Sequence, residues 1–393
     1  MSWGYLYNRT AIGLAVAVLA VLAAVAFFTY HQVTAADFVS CPTVGDLAER
    51  YRCWDAAVKL GLDKGGVAPA LGQLKFFSTE SPDFVQTCHT LAHQVGEKAY
   101  KDFAVGRTLT LSADTQVCDF GFYHGFMTSF LVDSRDYAKL GTFCTTLTDT
   151  DPNGDLYALR WACFHGIGHG SVAESEVSAW TDGMHKPLTD TLAICRMAAQ
   201  SQDDYVKCAA GAYNGMSYGS YKQVIDPKDP YKLCRQLRDT EIPAECYANF
   251  ASNVFNFTHD RTIVQAIALA STYTPHEYLL AAIPTFANMA SRKLDTAQDF
   301  TCMQLRSDEV SPCLNGFVTG LVQLEIPEAK ERRAFALCAS DLVGSAMRAE
   351  CYRDTLEVLT NFWTKAKTQA SCDLAVPRDR HICKDALSLL SHQ

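Results

Sequence analysis

Sixteen cysteines set the strongest limit on how this chain can fold, because in sequence order they fall into eight neighbouring pairs. The pairs are Cys41 with Cys53, Cys88 with Cys118, Cys144 with Cys163, Cys195 with Cys208, Cys234 with Cys246, Cys302 with Cys313, Cys338 with Cys351, and Cys372 with Cys383. Six of the eight separations are 11 to 13 residues. An even count at regular spacing fits an oxidising compartment and favours local, consecutive bridges. In the chain-entropy account each bridge closes a short loop and contributes on the order of 3 kcal/mol. Free buried thiols are the competing reading. Zinc-cysteine clusters fit less well, since no Cys-x-x-Cys occurs anywhere in the chain.

The second members of the pairs recur from Cys118 onward at steps of 45, 45, 38, 67, 38 and 32 residues. Most of these steps equal one helical-hairpin repeat. The step of 67 has room for a unit without cysteines, and residues 281–291 read as the remnant of its second helix. Segments such as 46–60 and 334–359 are rich in Ala, Leu, Glu, Lys and Arg with apolar residues three and four apart, which predicts helices. Asp-Pro and Pro-Asn-Gly pieces near Asp151, Asp226 and Asp229 mark turns. The expected fold is therefore all-α: disulfide-stapled helical hairpins stacked into an α-solenoid or superhelix, preceded by one N-terminal transmembrane helix.

Residues 11–28 are an uncharged apolar run of 18 preceded by Arg9. That length suits a bilayer crossing, and the positive charge places residues 1–10 in the cytoplasm. The reading is a membrane anchor over 11–30 and a periplasmic or extracellular main domain. A cleaved signal peptide is the alternative, because Val33-Thr34-Ala35 ahead of Ala36 resembles a cleavage site and would give a secreted protein. Beyond it the sequence divides into an N-terminal helical cap (36–80), histidine-rich helical repeats (81–222) and C-terminal helical repeats (223–393).

A phrase recurs in these repeats: Cys-x-x-Gly-x-x-His-Gly. It reads Cys118, Gly121, His124, Gly125, then Cys163, Gly166, His169, Gly170, then Cys208, Gly211, Asn214, Gly215. The two glycines lie four apart, on one helix face, where they let another helix approach closely. Glycine costs helix propensity by about 1 kcal/mol, so packing must compensate. The glycines persist through all three copies while histidine gives way to asparagine in the third. A shared fold with a local site built on it accounts for that pattern.

Five of the eleven histidines, His89, His93, His124, His165 and His169, fall within 81 residues, each one to six positions after a cysteine. His89, His93 and Glu97 repeat every four residues and form one helical stripe. His165 and His169 share that spacing, and His124 occupies the repeat position of His169. Stacked second helices would bring these rings to one ion or to a pair of ions. Imidazole suits zinc, copper and iron alike, so the expected cofactor is a transition metal of undecided identity. Glu97 is a candidate carboxylate ligand or base, with Asp119 and Glu174 as other acidic groups nearby. Tyr123, Tyr213 and Asn214 are candidates for supporting contacts around the ligands. Thr90 and Gly166 follow the first histidines where a zinc protease would carry glutamate, which argues against a peptidase. The competing structural reading makes the histidines satisfied core groups in helix interfaces.

A net charge of −9 without a long basic run argues against nucleic-acid binding. No nucleotide loop, haem attachment site or Gly-x-Ser-x-Gly elbow is present. The functions left open are a metal-dependent hydrolase or oxidase, a scaffold that grips a partner protein on the repeat surface, and a metal capture or delivery protein.

Overall fold

The computed structural model describes residues 40–41, 45–109, 111–147, 158–173, 185–218, 225–236, 242–257, 262–291, 300–323, 329–360 and 365–390. The chain divides into two units, Met1–Pro42 and Thr43–Gln393. The apolar run at 11–28, the tail before it and the signal-cleavage site lie outside the described residues. No helix among the described residues is long and apolar enough to cross a membrane.

Residues 45–390 contain helices and no strand among the described residues. We number the helices α1 (Leu47–Gly65), α2 (Val67–Glu80), α3 (Pro82–Thr87), α4 (His89–Ala104), α5 (Gly121–Ser134), α6 (Tyr137–Thr146), α7 (Leu159–Ala173), α8 (His185–Ala198) and α9 (Gln202–Tyr218). They continue as α10 (Lys232–Gln236), α11 (Pro243–Phe257), α12 (Ile263–Ser271), α13 (His276–Ser291), α14 (Ser307–Gln323), α15 (Ala329–Ala339), α16 (Gly344–Thr360), α17 (Lys365–Ser371) and α18 (Arg380–Leu390). Local chemistry sets several starts. Asp46 caps α1 by accepting from the Ala48 N–H at 3.1 Å. Ser81 caps α3, with Pro82 in the first turn where its missing N–H costs nothing.

An inner layer runs α4, α5, α7, α9, α11, α13, α14, α16, α18, each helix packed on the next. The shorter α6, α8, α12 and α15 back it from outside. Seven bridges join consecutive cysteines: 88 to 118, 144 to 163, 195 to 208, 234 to 246, 302 to 313, 338 to 351 and 372 to 383. Cys41 and Cys53 are disulfide-bonded as well, and no cysteine is free. Bonding of every cysteine marks an extracellular type of protein. From Cys144 onward each bridge ties the end of an outer segment to the start of the inner helix that follows it. The hairpin α12–α13 takes the same place in the stack without cysteines, and residues 281–291 lie in its inner helix.

The helical expectation over 334–359 needs one correction. Two helices occupy it, α15 and α16, separated by a turn over 340–343 that ends at Gly344 with φ +71. Glycine adopts that left-handed backbone without a Cβ clash, which lets the chain reverse direction.

Glycine also sets how tightly the inner layer packs. A Cβ on Gly125 would fall on the carbonyl of His93, and one on Gly211 on the carbonyl of His165. Gly316 stands in the same relation to the Pro284 carbonyl. Gly125 and Gly211 belong to the repeat phrase and meet the backbone of a histidine on the neighbouring helix, and Gly316 stands three residues after Cys313, as the first glycine of the phrase stands after its cysteine.

Candidate metal centre

Close approach of α4, α5 and α7 brings the five histidines together. His124 on α5 is the hub. Its ring centroid lies 4.8 Å from His89, 5.4 Å from His93, 5.2 Å from His165 and 4.4 Å from His169. His93 and His169 are 5.7 Å apart, and His89 and His93 are 4.8 Å apart. One ligand atom from each of His89, His93 and His124 lies within 4.8 Å of the other two. The rings of His165 and His169 stack on His124 at interplanar angles of 19° and 17°.

One hydrogen bond fixes a proton. His89 Nδ1 stands 3.0 Å from the Cys118 carbonyl oxygen, which can only accept, so Nδ1 carries a proton. His89 Nε2 and His124 Nδ1 lie 3.0 Å apart and are hydrogen-bonded to each other. That leaves Nε2 of His124. It is buried and has no partner, and the same holds for His93 Nε2, His165 Nδ1 and His169 Nδ1. Four orphaned ring nitrogens in one cluster run against the rule that buried polar groups are satisfied.

Electrostatics keep these rings neutral. Burial first, then the nearby His89 and His169, pushes His93 down to about 2. Burial, with neighbouring imidazoles adding to it, lowers His165 and His169 to about 3, and the Asn214 side chain opposes the shift at His165. His124 is held well below the usual histidine range by burial and by the surrounding imidazoles. Neutral imidazole is the form that binds a metal.

The segment leading into α5 is strained. Cys118, Asp119 and Phe120 are consecutive non-glycine residues with φ of 64, 54 and 60. Each such residue costs on the order of 1–3 kcal/mol and persists only where its surroundings over-determine it. Here the Cys88–Cys118 bridge and the His89 hydrogen bond hold the segment, with Cys118 and Asp119 lining the adjacent cavity.

That cavity, about 580 Å³, is lined by His89, His124, His165 and His169. Its wall also includes residues from α3, α9, α11, α13 and α14. Residues of α3 and of α14 therefore line one space.

The other candidates from the sequence separate clearly. Glu97 is exposed and does not line the cavity. Four residues advance an α-helix by one turn plus about 40°, so the stripe from His89 through His93 has rotated away from the site by Glu97. Asp119 lines the cavity, and Glu174 lies outside the described residues. Tyr123 is buried, with its hydroxyl 2.9 Å from Thr115 Oγ1, and Tyr213 is buried near Phe250; neither lines the cavity. Asn214 does line it.

Sequence reasoning missed Glu245 and Trp161, both in the cavity wall. Burial raises the Glu245 carboxyl above its ordinary value. Trp161 stacks on His165 at 4.4 Å and 27°. Its position four residues before His165 on α7 was the available signal. A second grouping brings His276 and the exposed Asp308 together with the buried Glu309, and Arg306 lies 3.4 Å from Asp308.

No family model matches the chain, and neither a curated protein nor a solved structure matches it.

Proposed function

We propose that the histidine cluster holds one or two transition-metal ions and that the protein is an extracytoplasmic metalloprotein acting on a ligand in the adjoining cavity. The four orphaned imidazole nitrogens carry this reading. Left bare, each costs about 1–3 kcal/mol; a bound ion gives each lone pair a partner. The grouping of His89, His93 and His124, each with a ligand atom within 4.8 Å of the others, supports it.

His89, His93 and His124 are the closest donor set, with His165 and His169 supplying further donors or a second position. The Cys118 carbonyl orients His89, as second-layer acceptors commonly orient ligating histidines. A bound metal would supply Lewis acidity or, for copper and iron, redox chemistry. Asp119 and Glu245 are the carboxylates placed to move protons in the cavity, so hydrolysis or oxidation is the reading we favour, in a protein anchored at the membrane by its N-terminal apolar run. Metal capture without turnover would leave those two carboxylates without a role.

Elemental analysis of the purified exported domain tests the reading. One to two equivalents of zinc, copper or iron per chain is expected, falling to background in His124→Ala while the helical circular dichroism is retained. Wild-type protein that carries no metal and takes up none of the three at micromolar concentration would overturn it.

A further inference from the structure

Beyond the histidines, carboxamides recur along one part of the cavity wall. Four successive inner helices, α9, α11, α13 and α14, each contribute one asparagine: Asn214, Asn249, Asn288 and Asn315. Gln323 joins them, accepting from Asn288 Nδ2 at 2.9 Å. A carboxamide carries N–H donors and a carbonyl acceptor side by side. Among the described residues lining the cavity there is no lysine or arginine.

These facts narrow the ligand. Along the asparagine part of the wall, away from the histidines, an anion would meet no lysine or arginine and would share the cavity with Asp119 and Glu245. Asn249 Nδ2 donates to the Glu245 carbonyl at 2.9 Å, and an apolar ligand would cut the remaining amide donors and acceptors of the wall off from water. A ligand whose groups both donate and accept satisfies the wall, and hydroxyls do so at every position. Trp161 adds a flat aromatic face 38% exposed, backed by His165. An indole surface suits the C–H face of a sugar ring. The volume of about 580 Å³ lies within the roughly 300–1,000 Å³ of small-molecule sites. An extended peptide could also pair with carboxamides, but nothing among these groups offers the counter-charge or the row of apolar pockets that reads peptide side chains.

We propose that the cavity binds a neutral oligosaccharide, with one ring against Trp161 beside the histidines and adjoining units hydrogen-bonded along the asparagines toward α14. This names the substrate class of the metal centre and rests on that reading for its chemistry, although sugar binding itself does not require the metal.

The test is an array of neutral glycans, acidic glycans and immobilised peptides probed with the whole exported domain, with metal content measured on the same preparation. Binding confined to neutral glycans is expected, weakened about tenfold or more in Asn249→Ala, the loss of roughly one good hydrogen bond. A melting curve for that variant separates lost binding from lost folding, and Asn315→Ala serves as the second variant. No neutral glycan above background, a preference for acidic glycans or peptides, or folded variants that bind as the wild type does would each overturn the proposal. Sugar binding by protein that neither carries metal nor takes up zinc, copper or iron at micromolar concentration would remove the metal reading alone, and metal without sugar binding would remove this proposal alone.

Discussion

Alanine at Gly125 and alanine at Gly215 should have opposite effects, although both residues hold the same place in the repeat phrase. Both lie within helices, α5 and α9. A methyl group at Gly125 would overlap the His93 carbonyl oxygen, with the carbonyl carbon at 2.6 Å and Cα at 2.7 Å. At Gly215 the nearest atoms, all from His169, are 3.5 Å away, an ordinary contact. Relief at Gly125 requires α5 to move off α4 by roughly 1 Å, because carbon atoms settle about 3.5–4.0 Å apart. Overpacking costs about 1–3 kcal/mol, and a backbone obstacle belongs at the upper end. Replacing a helical glycine by alanine returns about 1 kcal/mol. Gly125→Ala should therefore lose about 1–2 kcal/mol, while Gly215→Ala should gain up to about 1 kcal/mol. Urea unfolding followed by circular dichroism, with both variants and wild type side by side, measures the difference. Because His93 and His124 move apart in the first variant, its metal content should fall too. Equal stability of the two variants would refute the close-approach argument.

Two further predictions concern charge. The metal-free protein should lose stability on acidification: His93 titrates at about 2 and His165 and His169 at about 3 when folded, against about 6.5 when unfolded. Below about 6.5 the unfolded chain takes up protons that the native state refuses, so this stability is present above that pH and is lost as pH falls toward 3. The slope reaches about 1.4 kcal/mol per pH unit per ring, and a urea midpoint unchanged between pH 7.5 and 5 would contradict it. Asp204 is fully buried and takes two hydrogen bonds, at 2.8 and 2.9 Å, from the 36%-exposed Arg160, tying α9 to α7. Asp204→Ala should cost about 1–3 kcal/mol, read as a lower thermal midpoint; an unchanged midpoint would show the pair to be idle.

Much of this architecture is written in one dimension. Disulfides between consecutive cysteines depend on spacing alone, so the ladder and its hairpins follow from the positions of Cys144 through Cys383. The histidine cluster was legible for a similar reason, since four-residue spacing and repeat equivalence are local properties of α4, α5 and α7. Glu97 looked equivalent to His93 only because a stripe on paper does not rotate, whereas a helix of 3.6 residues per turn does. The carboxamide wall was harder to see. Asn214, Asn249 and Asn315 stand six, three and two residues after their cysteines, and Asn288 belongs to a hairpin with none. No fixed phrase marks them, and they meet only because of curvature, a property of the relative rotation of successive helices. Asn214 takes the histidine position in the third copy of the phrase and Asn249 stands where its first glycine would fall, and these were the visible traces.

A space shared by α3 and α14 makes its own width a sum over joints. Each contact between neighbouring inner helices has a small angular freedom, and around an arc these angles accumulate at the rim. The hairpins that contribute nothing to the histidine cluster would thus act as a lever on the entrance, where a slight repacking deep among them would widen or narrow the opening at a distance.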